Sequence, residues 1–235
     1  MNPKVRQSEH MSKLLIWDID GTLMHCKGVG RASLNRTFQE LFGIADAFTH
    51  INFGGGMDSV IVRDAMLQHG IKANEADWLH PFFDQYAIYL EEKLKQLGDS
   101  VLLPGVQALF SQIGFDPRFC HAIGTGNVQV GARLKLQNTG LSKYFECGGY
   151  ADGLEERWQI VDQAYNNATA LWGAAFDAVY VIGDTTRDVE SAQKLGFQCI
   201  CVANGFHTKE ALMAAGANVI LPDLTDAAQF LAALD

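Results

Sequence analysis

The stretch Lys13-Leu14-Leu15-Ile16-Trp17-Asp18-Ile19-Asp20-Gly21-Thr22 decides how the rest of the chain is read. Residues 13–19 are short and almost continuously apolar, the pattern of a strand covered on both faces of a parallel sheet. Two carboxylates then follow, two positions apart, where the strand gives way to a Gly-Thr turn. Similar apolar runs recur at 119–124, 178–183, 197–202 and 218–221, each followed by a polar or glycine-bearing turn. Helical periodicity lies between them, at 128–138, 157–171, 188–195 and 208–215. This alternation predicts right-handed βαβ crossovers and an α/β fold on a doubly wound, Rossmann-like parallel sheet.

Residues 31–97 carry helical periodicity without convincing strands, at 32–42, 58–69 and 76–97. They read as an inserted α-helical unit. Its borders are turn-like: Lys27-Gly28-Val29-Gly30 on one side, and Gly98-Asp99-Ser100 through Pro104-Gly105 on the other. The expected organisation is a tail at 1–12, a core at 13–27 and 101–235, and a helical cap at 28–100. Trp78, Phe82, Phe83, Tyr86 and Tyr89, spaced by about three and four, are expected to form the packed interior of that cap.

With 48% hydrophobic and 19% charged residues the composition is that of a globular protein. Eighteen basic against twenty-seven acidic side chains give a net charge of −9, which disfavours nucleic acid as a partner. A small phosphorylated metabolite remains compatible, because a bound cation can reverse the local potential. Residues 1–12 are polar and no run of about 18 apolar residues occurs. The expectation is a cytoplasmic protein without membrane association, monomeric or homodimeric. Five cysteines with no Cys-x-x-Cys pair argue for free thiols, with Cys199 and Cys201 on one face of a strand.

In an open parallel sheet, ligands gather at the carboxyl ends of the strands where strand order reverses. Asp18, Thr125 and Asp184 each follow an apolar run, as three converging segments must. Two aspartates two positions apart can divide the work of hydrolysing a phosphate monoester: Asp18 attacks phosphorus, and Asp20 serves as acid and base. A free aspartate has a pKa of about 3.9, so Asp20 has to be partly desolvated or hydrogen-bonded to donate a proton near neutrality. Mg2+ favours an octahedron of oxygen ligands, and Asp18 and Asp184 are the carboxylates to supply them. Asp188, four residues on, is placed to orient a water or a cation.

Asp18-Ile19-Asp20-Gly21-Thr22, Ile123-Gly124-Thr125 and Gly183-Asp184-Thr185-Thr186-Arg187-Asp188 resemble, in order and spacing, the first, second and fourth motifs of the haloacid dehalogenase superfamily. The similarity spans essentially the whole chain, and the helical insertion resembles that superfamily's type-1 cap, as in its phosphoglycolate phosphatase and β-phosphoglucomutase-like subgroup. The resemblance implies an aspartyl-phosphate on Asp18, with Asp20 as general acid and base. Thr125, with Gly126 and Asn127 beside it, would bind the transferring phosphoryl group. Asp18, Asp184 and the carbonyl of Asp20 would surround Mg2+, and Asp188 would stand outside that ring. Because Asp20 is present, the resemblance is to the phosphatase form rather than the dehalogenase form.

One motif departs from the pattern. The superfamily's third motif supplies a lysine, whereas the matching stretch here is Asp152-Gly153-Leu154-Glu155-Glu156-Arg157-Trp158, which makes Arg157 the candidate, with Lys135 and Lys143 in reserve. An arginine fork can hold phosphate and carboxylate together but is not the compact charge of a lysine. In the loop Asn52-Phe53-Gly54-Gly55-Gly56-Met57-Asp58, Gly55 and Gly56 are candidates to face the substrate, as is His25 beside the first motif. Two other outcomes stay open at this level: a sugar-phosphate mutase with the same motifs, and a catalytically weak binding or regulatory protein.

Overall fold

The computed structural model describes residues 13–71, 75–97, 101–173 and 176–234, with backbone alone at 75–77. The expected tail at 1–12 and the Gly98-Asp99-Ser100 turn lie outside the described residues. In chain order the elements are β1 (Lys13–Trp17), α1 (Val29–Phe42), α2 (Asp58–Gln68), α3 (Glu75–Leu97), α4 (Val106–Ile113), β2 (Phe119–Gly124), α5 (Gln129–Asn138) and β3 (Cys147–Gly149). There follow α6 (Arg157–Trp172), β4 (Ala178–Gly183), α7 (Thr186–Leu195), β5 (Gln198–Val202), α8 (Lys209–Ala215), β6 (Val219–Leu221) and α9 (Ala227–Ala232).

The strands form one sheet in the order β3-β2-β1-β4-β5-β6, with every pairing parallel. This is the expected doubly wound α/β architecture. β1 is central and alternates its side chains between two apolar layers: Leu15 and Trp17 enter one, Leu14 and Ile16 the other. That double burial is why the run at 13–17 has no polar alternation. Three elements were absent from the sequence reading: α4, α9 and the three-residue strand β3.

The helices α1 to α3 lie between β1 and β2 in sequence. The segments that lead into and out of them run side by side: His25 N donates to Val101 O at 2.7 Å and Leu103 N to Leu23 O at 3.1 Å. The inserted helices bury Phe38, Phe48, Phe82, Phe83 and Tyr86 together. Phe38 and Phe82 meet edge-on at 6.2 Å, as do Phe82 and Phe83 at 5.5 Å. Trp78 departs from the expectation: it packs against Phe42, with ring centroids 5.5 Å apart, but is 38% exposed and so lies at the edge of the apolar cluster.

Candidate active site

The chain leaves β1 toward β2 and β3 on one side and returns to β4, β5 and β6 on the other, so strand order reverses beside β1. Trp17 is in register with Ile123 of β2 and Ile182 of β4, and Asp18 N donates to Ile182 O at 2.9 Å. That register brings Asp18, Thr125 and Asp184, the residues just past the three strand ends, to one crevice. Asp18, Thr125 and Asp184 are all buried.

One cation sits among the carboxylates. Arg157, the first residue of α6, brings Nη2 to 3.0 Å from Asp18 Oδ1 and to 2.8 Å from Asp188 Oδ1. The other oxygen of Asp188 accepts from Thr185 N at 3.1 Å and Thr185 Oγ1 at 2.7 Å, in the capping box that starts α7. Asp188 is therefore fully engaged in holding Arg157 and the helix start. Asp184 accepts from Thr22 Oγ1 at 3.2 Å and from Phe206 N at 2.6 Å. Gly21 has φ +88°, and a Cβ on it would lie 2.4 Å from the Asp184 carboxylate, so the Asp-Gly turn is what allows the two motifs to touch. Arg157 Nε is buried without a partner among the described residues.

Oxygens of Asp18, Asp184 and Asp188 lie within 4.8 Å of one another. Burial, reinforced by Asp18 and Asp188, pushes Asp184 up to about 8. Burial also raises Asp18, opposed by Arg157 and helped by Asp188 and Asp20, to about 6. Three carboxylates and one guanidinium leave two negative charges uncompensated, the charge deficit that a divalent cation with oxygen preference corrects. The donor set fits Mg2+, with Asp18 and Asp184 the carboxylates least committed elsewhere.

Asp20 faces a different environment. Its Oδ2 accepts from Lys135 Nζ at 2.5 Å and from Asn127 Nδ2 at 2.7 Å. Asn127 Nδ2 also reaches Thr125 Oγ1 at 2.9 Å, and its Oδ1 accepts from Lys135 Nζ at 2.6 Å. Burial acts to lower the Lys135 pKa, but Asp20, with help from Tyr86, Cys26 and Asp58, outweighs it and draws the ammonium upward. Lys135 thus meets Asp20 and not Asp18, while Lys143 is exposed beside the Tyr144 ring. The position opposite Asp18 belongs to Arg157 alone of the three basic candidates.

The inserted helices close over this crevice. Asp58 N donates to Gly126 O at 2.7 Å, and the Asp58 carboxylate accepts from Val128 N at 3.1 Å, at the start of α5. Arg187 Nη1 donates to Gly55 O at 3.1 Å, Ser59 Oγ to Ala151 O at 2.7 Å, and Arg63 pairs with Glu155. Backbones approach so closely that a Cβ on Gly126 would sit 1.9 Å from Gly56 O. Between the layers lies a cavity of about 270 Å³. Asp18, Asp20, Thr125, Gly126, Asn127 and Arg157 line it from one side, and Gly55, Gly56 and Tyr86 from the other. His25 reaches its wall while remaining solvent-exposed.

Asp18, Asp20, His25, Gly55, Gly56, Thr125, Gly126, Asn127 and Arg157 line this cavity, Asp184 and Asp188 sit beside Asp18, and Lys143 lies away from it. The sequence reading missed the pairing of Lys135 with Asp20, the docking role of Asp58 and the presence of Tyr86 in the cavity wall. For Lys135 a signal existed: Ala132, Lys135 and Leu136 are spaced as one buried helix face, and a lysine on such a face needs a partner. For Asp58 no local pattern announced a contact with the distant start of α5. Cys199 and Cys201 do share a face, with Sγ atoms 3.6 Å apart, and are free thiols packed in the second apolar layer.

Carboxylates and hydroxyls gathered at the switch point of a doubly wound sheet, beneath inserted helices, define an α/β protein with an acidic, cation-suited site. A family model described as HAD-hydrolase-like matches residues 160–227. The chain is 30% identical over 149 residues to a phosphoglycolate phosphatase of Synechococcus elongatus, covering 62% of this chain and 68% of that protein. In fold it is similar to a Clostridium acetobutylicum structure described as a predicted phosphatase, with TM-score 0.68, 23% identity, and 95% and 99% of the two chains covered. It is also similar to CbbY of Rhodobacter sphaeroides, solved in complex with phosphate, with TM-score 0.63, 20% identity and 92% and 96% coverage. The chain belongs to the haloacid dehalogenase-like hydrolases, the family of that phosphoglycolate phosphatase. No helix among the described residues is long and apolar enough to cross a membrane.

Proposed function

We propose that this protein is a Mg2+-dependent phosphatase that hydrolyses a small phosphate monoester through an aspartyl-phosphate on Asp18. The observation that carries the reading is the setting of Asp18: at the end of β1, 3.0 Å from Arg157 and within 4.8 Å of Asp184 and Asp188, on the same cavity as Asp20 and Thr125.

In the first half-reaction the Asp18 carboxylate attacks phosphorus, the bond to the leaving oxygen breaks, and Asp20 gives that oxygen its proton. In the second, Asp20 takes a proton from water, which attacks the phosphorus and releases inorganic phosphate and the Asp18 carboxylate. Thr125 Oγ1 donates to a phosphoryl oxygen, and the unpartnered Arg157 Nε is a donor that such an oxygen would satisfy. Asp18, Asp184 and the Asp20 carbonyl would hold Mg2+, which when bound neutralises phosphoryl charge and keeps Asp18 ionised. Asp188 fixes Arg157 rather than the ion. The helices within 28–100 act as a cap that excludes water during transfer and admits it afterwards by moving on the segments near Cys26 and Val101.

A cavity of about 270 Å³ has room for roughly nine water-sized groups at about 30 Å³ each. That accommodates a phosphoryl group together with a small organic leaving group. A panel of phosphorylated metabolites and sugar monophosphates, assayed for phosphate release and for isomerisation with Mg2+, tests the reading. We expect release from small monoesters by the wild type and none from Asp18→Asn. Isomerisation without release would replace the phosphatase reading by the mutase one.

A further inference from the structure

We infer that Lys135 is a positioning residue for Asp20, an inference that rests on the phosphatase reading above. Lys135 is 4% exposed and lies on the inward face of α5, beside Ala132 and Leu136. A lysine is almost never buried to that degree unless paired, and an apolar residue would pack the same face at lower cost. Its Nζ spends two donors on the site, one on Asp20 Oδ2 and one on Asn127 Oδ1. Asn127 closes the triangle by donating to the same Asp20 oxygen, and it ties that oxygen to Thr125 Oγ1.

The consequence is geometric. A side chain with two rotatable bonds, itself partly exposed, is fixed through one oxygen by two donors from α5 and its leading loop, while Oδ1 of Asp20 has no partner among the described residues. The free oxygen is the one left to exchange a proton with the leaving group or with water. Lys135 makes no contact with Asp18, so its effect should appear only where proton transfer through Asp20 matters.

Leaving-group dependence reads this role directly. A p-nitrophenolate departs without a proton, whereas a p-methylphenolate needs one, and kcat/KM reports only steps through that departure. For Lys135→Met, kcat/KM is expected to fall less than about 3-fold on p-nitrophenyl phosphate and about 30-fold on p-methylphenyl phosphate, a part of the about 10²- to 10⁴-fold that general acid catalysis contributes. In an Asp20→Asn background, Lys135→Met should cause no further loss. Lys135→Gln retains a neutral donor; it serves if Lys135→Met does not fold, and should show the same pattern at reduced size. Equal losses on all aryl phosphates by an active enzyme, or full additivity with Asp20→Asn, would overturn the inference alone. A wild type that releases phosphate from neither the aryl series nor the metabolite panel would overturn the phosphatase reading and this inference with it.

Discussion

Asp18 and Asp20 stand two residues apart, yet the fold assigns them to two different regions. Asp18 belongs to the sheet end: it is buried, its backbone is bonded to β4, and its charge is met by Arg157 at the start of α6. Asp20 belongs to the wall beneath the inserted helices: it is partly exposed, and among the described residues its carboxylate is held by the side chains of Lys135 and Asn127. A nucleophile profits from a fixed address, which parallel strands in register provide. A residue that must give and then take a proton profits from one held oxygen and one open oxygen near the entry of water. Under the proposed mechanism, one short motif serves two chemical roles through its neighbours.

Substitutions at the sheet end should produce the largest effects. Asp18→Asn is expected to lower kcat by about 10⁴ or more, as loss of a nucleophile does, in steady-state phosphate release. Arg157→Met should cost about 10²- to 10³-fold in kcat/KM. It also strands Asp18 and Asp188 without a counter-charge, which should lower folding stability by about 3–5 kcal/mol in urea titrations. Arg157→Lys should recover part of the activity, since Lys keeps the charge but not the two-armed bridge.

On the cap side the expected effects are smaller and of another kind. Gly126→Ala sets a methyl group against Gly56 O, a backbone atom that cannot yield without undocking the loop. KM should rise about 10-fold with kcat less affected, while the melting temperature moves little, because the burden falls on closure rather than on the core.

The pH dependence of stability sharpens the comparison further. Asp184 is raised from 3.8 to about 8 and Asp18 to about 6, so in metal-free protein the folded state binds more protons than the unfolded one across that window. Stability is therefore fully present below the unfolded value and is lost as pH rises through the folded values. The metal-free melting temperature should fall between about pH 4 and pH 8 from these groups. Mg2+ should restore more at pH 8 than at pH 5, where protons compete for the same oxygens. A Mg2+ effect independent of pH would mean that the ion binds elsewhere.

The sheet end was the more legible of the two regions. Runs such as 13–17 and 178–183 are apolar because both faces are covered, and the polar residue that ends each run is placed at the strand terminus by that fact alone. β3 was hidden because Cys147-Gly148-Gly149 carries no apolar pattern and pairs only through its backbone. α4 was legible in principle, since Val106, Leu109, Phe110 and Ile113 have helical spacing after Gly105. The contacts of the inserted helices were not, because Gly126 against Gly56 and Asp58 against Val128 join segments some seventy residues apart, each with a backbone group on at least one side that no side-chain pattern encodes. Lys135 fell between the two: its burial was inferable, but its partner depended on the turn that carries Asp20 away from Asp18.

The central claim, that Asp18 is the nucleophile, is tested most directly by trapping. Protein mixed with Mg2+ and a cleaved monoester is quenched in acid, treated with hydroxylamine and digested for peptide mass spectrometry. The account predicts a hydroxamate on the peptide bearing Asp18 in wild type and none in Asp18→Asn. Continued phosphate release with no modification at position 18, or with the modification on another carboxylate, would contradict it.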